Sequence, residues 1–73
     1  MIRFVVVENF KGQKVGYVEV NLQQIFGNIK DSAHDLAMRY MESSHPSAFS
    51  FNFGSKFVLS NVLKKEPKKL HKF

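Results

Sequence analysis

No cysteine occurs anywhere in this 73-residue chain, and that absence constrains its folding more than any motif does. A domain this small buries only about 60% of its unfolded surface, so its margin of stability is thin. Chains of this size lean on disulfides, metals or self-association. Without cysteine, neither a disulfide nor a thiolate metal site is available. Packing has to supply the core, and the eight phenylalanines suit that task, because large aromatics bury much area per residue. A homodimer is one route to extra buried surface. The lack of cysteine also fits a reducing cytoplasm. The apolar run at residues 2–7 is much too short for a secretory segment or a membrane span. A cytoplasmic protein with no membrane partner is therefore expected.

Residues 2–7 (IRFVVV) are rich in β-branched side chains and read as a strand. Ile2, Phe4 and Val6 share one face, and Val5 and Val7 the other. Apolar residues on both faces imply a strand that is central or covered on both sides. Residues 14–20 (KVGYVEV) form a second strand. The connector ENFKGQ carries a turn signal at Lys11 and Gly12, and its shortness favours an antiparallel hairpin. Gly16, inside the second strand, marks a bulge or a close approach of another backbone. Tyr17, in register with Val15 and Glu19, reads as an exposed aromatic.

Asn21 stands as a helix N-cap, with Gln24 three residues on in capping-box register. The apolar positions Leu22, Ile25, Phe26, Ile29, Ala33, Leu36, Ala37, Tyr40 and Met41 trace one stripe of an amphipathic helix. That stripe predicts a single helix over residues 22–42, weakened at Gly27. Asp31 and Ser32 also fit the cap of a separate, later helix. The loop after it contains Ser43, Ser44, His45 and Pro46.

Residues 48–53 (AFSFNF) alternate cleanly and read as a third strand. Gly54 and Ser55 form a hairpin turn, and residues 56–60 (KFVLS) the return strand. The expected fold is α+β in two layers: a β-β-α-β-β antiparallel sheet with one helix packed on a face. Residues 1–63 make up the domain and residues 64–73 a lysine-rich tail. The predicted core contains Phe4, Val6, Val18, Ile25, Ile29, Leu36, Phe49, Phe51 and Leu59. Alternating Phe49, Phe51 and Phe53 also have the pattern of a base-stacking platform, but the helix stripe needs a partner surface, and a core face is the favoured reading.

Nothing in the chain points to catalysis. The three histidines, His34, His45 and His71, have no paired metal-ligand spacing. Asp31, His34 and Asp35 share a helix face, where Asp35 and Arg39 pair at i, i+4. Ser43, Ser44 and His45 are adjacent in a loop, without a nucleophile elbow. The glycines form no phosphate-cradling pattern. The chain is read as non-enzymatic, with no cofactor and no metal.

The functional signal lies in the tail KKEPKKLHKF. Lys64, Lys65, Lys68, Lys69 and Lys72 against Glu66 alone give four of the formal net charge of +5. The tail is expected to be mobile and dispensable for folding, since its like charges cannot pack together and Pro67 breaks a helix. Leu70 and Phe73 cut against a purely solvating role and hint at docking. The expected function is association with nucleic acid, or with a nucleic-acid-processing complex, through Lys64, Lys65, Lys68, Lys69, Lys72, Lys56 and Arg3, with Lys11, Lys14 and Lys30 as supplementary charges. Lysine is a point charge without the fork that reads base edges, so sequence specificity should be weak. The alternative is a protein-binding regulator or inhibitor, such as a virus- or phage-encoded protein that blocks a host factor, in which the tail reaches an acidic protein surface.

Overall fold

The computed structural model describes residues 1–25, 27–47 and 56–73. These form strands β1 (Ile2–Asn9) and β2 (Lys14–Asn21), helix α1 (Ile29–Ser44) and strand β3 (Phe57–Leu63). The fold is α+β, as expected. The three strands make one antiparallel sheet in the order β2-β1-β3. The expected strand at residues 48–53, its hairpin turn, and Phe26, Phe49, Phe51 and Phe53 lie outside the described residues.

The β1–β2 hairpin sets Val5 opposite Val18 and Val6 opposite Tyr17, with a bulge between Val7 and Glu8. Asn9 orders the turn: its Oδ1 accepts from the backbone N–H of Lys11 and of Gln13, each at 2.9 Å. Gly12 closes the turn at φ +82, a conformation that costs a glycine nothing. β1 is central, as its apolar residues on both faces implied.

One face of the sheet carries the main core. Val5, Val7, Val18, Val20 and Leu22 pack there with Ala33, Ala37 and Met41 of α1. The helix residues recur every four positions and so form one stripe along the axis. Two alanines in that stripe let the helix backbone approach the sheet closely. Ile29, Leu36 and Leu59, all expected in the core, are half-buried against this cluster. Phe4, Val6 and Val18 are buried as expected, whereas Ile25 is 43% exposed and does not belong to the core.

That exposure follows from where the helix begins. It starts at Ile29 rather than at Leu22, and its N-cap is Asn28, not Asn21. The Asn28 side-chain oxygen accepts from the Asp31 backbone N–H at 2.8 Å, a cap of a kind that contributes about 1 kcal/mol. Gly27, at φ +81, is what separates the helix from the preceding chain. Asn21 instead ends β2, opposite Ile2.

The tail is not free, and this corrects the expectation that it is mobile. The Tyr17 N–H donates to the His71 carbonyl oxygen and the Phe73 N–H to the Tyr17 carbonyl oxygen, both at 2.9 Å. Tyr17 and Lys72 thereby form a parallel bridge on the outer edge of β2. Since β3 lies at the far side of the sheet, residues 64–70 must cross a face to reach that edge. Tyr17 shows which face. It lies beside Phe4, edge to face at 5.9 Å, on the side away from α1, and its hydroxyl pairs with Glu66. The strap thus passes the second face at Tyr17, on the face where Phe4, Val6 and Tyr17 are 8%, 2% and 4% exposed. Tyr17 is thus buried, not an exposed aromatic.

Phe73 anchors the end of the strap. Its ring meets Phe57 at 5.8 Å, His45 at 5.4 Å and His71 at 5.0 Å between centroids. Gly16 makes room for it: a Cβ there would strike the ring and lie 2.6 Å from the His71 carbonyl oxygen. The close approach expected at Gly16 is this one.

Candidate anion-binding surface

The strap determines where its charges point. Lys64, Lys65, Lys68 and Lys69 are exposed, and none of them forms an ion pair among the described residues. Lys72 is different: on the edge of β2, its Nζ lies 3.5 Å from a Glu19 carboxylate oxygen. Glu66, the strap's one acid, takes the Tyr17 hydroxyl. The four leading lysines are therefore held on a segment tied at one end to β3 and at the other to β2.

Burial of Tyr17 raises its hydroxyl pKa above the ordinary 10.0, and the hydrogen bond and charge of Glu66 and the charge of Glu19 add to the shift. The fold thus favours the neutral phenol. That contribution is present in full below the ordinary value and is lost as pH rises through the raised one. The melting midpoint should accordingly fall as pH climbs past about 10, and more shallowly in Tyr17→Phe. Equal slopes for the two proteins in a calorimetric pH series would show that the strap does not enclose this hydroxyl.

The remaining predicted residues fall in two places. Lys56 is exposed just ahead of β3, away from the strap's exit. Arg3, half-buried in β1, donates from Nη1 to the Ile2 carbonyl oxygen at 2.8 Å. It lines a groove of about 420 Å³ together with Lys30, Lys64, Asn61 and Leu63, over Ile29 and Val62. Among the described residues no acid lines this groove. The sequence offers Lys30 only as one supplementary charge among several, because its neighbours here come from both ends of the chain. A larger cavity, about 850 Å³, is lined by Asn21, Gln23, Gln24, Asp31, Asp35 and Arg39 among others. Its acids outnumber its cations, which makes it a poor seat for an anion.

Asp31, His34 and Asp35 do not converge on one point. The Asp31 carboxylate accepts from the Asn28 amide at 3.1 Å, and Asp35 pairs with Arg39 at 3.2 Å. His34 Nε2 lies 2.6 Å from the Ser60 carbonyl oxygen. A carbonyl only accepts, so Nε2 carries the proton and is closed to a metal. Among the described residues no cluster of three potential ligands is suited to a metal ion, and no helix is long and apolar enough to cross a membrane. No protein-family model, curated protein or solved structure matches the chain.

Proposed function

We propose that this protein is a non-enzymatic module that binds nucleic acid through a fixed lysine surface, with little preference for sequence. The observation that carries the reading is the unpaired state of Lys64, Lys65, Lys68 and Lys69 on a strap anchored at both ends. A disordered lysine tail pays for its ordering when it binds. Anchored lysines do not, so their contacts with phosphates are made at lower entropic cost. Each such contact releases condensed counterions, which drives association and makes it salt-dependent.

Replacing these four lysines together by glutamine tests the reading. The side chains are exposed, so the fold should hold, and identical melting midpoints will confirm it. Affinity for a mixed-sequence oligonucleotide should fall, and the slope of log affinity against log salt should flatten by about three to four units. An unchanged slope would remove the strap from the interface. Recovery of one stoichiometric protein partner, insensitive to nuclease, would favour the regulator or inhibitor instead.

A further inference from the structure

The groove under Arg3, Lys30 and Lys64 has a composition that general solubility does not explain. Its three cations come from three elements: the start of β1, the first turn of α1, and the chain leaving β3. Among the described residues, none of the three makes an ion pair. Asp31, the acid next to Lys30, is held by Asn28 and lines the other cavity. Lys30 also sits at the end of the helix where a cation is disfavoured. Three like charges around one hollow repel each other, and an anion placed among them would relieve that repulsion. Below them the floor is apolar, formed by Ile29 and Val62, which both pack against the main core. A volume of about 420 Å³ falls within the range of small-ligand sites.

We infer that this groove seats one nucleotide unit of a bound strand, its phosphate among Arg3, Lys30 and Lys64 and its sugar or base on the apolar floor. The inference rests on the nucleic-acid reading for the source of the phosphate. It assigns a defined subsite, whereas the strap lysines supply a diffuse one.

The test uses the intact 73-residue chain and two-dimensional amide spectra. The probes are a 5′-phosphorylated dinucleotide, the same dinucleotide without the terminal phosphate, and inorganic phosphate alone. The phosphorylated dinucleotide should shift the amides of Ile29, Lys30, Asn61 and Leu63 saturably. The unphosphorylated one should bind about tenfold more weakly, the scale of one charge-assisted hydrogen bond. Lys30→Glu should abolish the response. Lys56→Gln, whose side chain is remote from the groove lining, should preserve it. Both side chains are exposed, so neither variant should disturb folding, and the remaining amide positions will report that.

If oligonucleotides bind in a salt-dependent manner but Lys30→Glu binds as tightly as the parent, the groove assignment fails and the wider reading survives. Should inorganic phosphate shift the groove while neither dinucleotide does, the nucleotide assignment fails and only an anion site remains. Shifts confined to residues 64–69 would likewise overturn the groove.

Discussion

Truncation after Leu63 is expected to abolish cooperative folding. The strap crosses at Tyr17 the sheet face that also bears Phe4 and Val6, all three less than a tenth exposed. Fully burying a large apolar side chain contributes about 1.5–3 kcal/mol. Exposing three of them therefore removes about as much as the ~5 kcal/mol that holds so small a domain together. Loss of Phe73 also takes away a ring that packs against the main core, and the outer edge of β2 loses its two backbone hydrogen bonds with residues 71–73. The truncated chain should show collapsed amide dispersion and no sigmoidal melt. Charge is separable from packing here. The untruncated 73-residue chain with Lys64, Lys65, Lys68 and Lys69 changed to glutamine should melt as the parent does. A truncated chain with the parent's dispersion and midpoint would mean that the strap merely rests on a finished fold.

The part of this architecture that was legible in the sequence is the part encoded locally. The hairpin was readable because IRFVVV and KVGYVEV alternate and Gly12 marks the turn. Gly16 was readable as a point of close approach, although what approaches it was not. The helix start was misread because Leu22 satisfies two patterns at once. It follows Val18 and Val20 at the spacing of a strand, and precedes Ile25 and Ile29 at the spacing of a helix. The structure resolves this in favour of the strand pattern, with Leu22 buried beside Val20, and Gly27 at positive φ separates the two elements. The strap was hidden by its composition. Lysines outnumber its anchors, so its average character is that of a solvated tail, while Leu70 and Phe73, the only dissenting residues, are too few for a periodicity argument. Tyr17 then appeared exposed because the layer that buries it was taken to be absent. The groove was less legible still: Arg3 and Lys64 were singled out as separate charges, and only the tertiary fold brings them together with Lys30.

Gly16 offers the sharpest test of how the strap closes. In a strand interior, glycine to alanine ordinarily gains about 0.5–1 kcal/mol, because alanine loses less backbone entropy on folding. Gly16→Ala should have the opposite sign. The new methyl would meet the Phe73 ring and lie 2.6 Å from the His71 carbonyl oxygen, and overpacking of this kind costs about 1–3 kcal/mol. For a domain of this size that lowers the melting midpoint by about 5–20 °C. The two obstacles differ in how far they can yield, which a double-mutant cycle exposes. Phe73→Ala removes the ring but leaves the backbone carbonyl, so Gly16→Ala should cost less in that background without becoming neutral. The coupling should fall within the ~0.5–3 kcal/mol typical of residues in contact. Additive effects would show that the methyl and the ring never meet. A Gly16→Ala protein more stable than the parent would show that the outer edge of β2 is open in solution, and the strap's lysines would then have to be treated as a free tail after all.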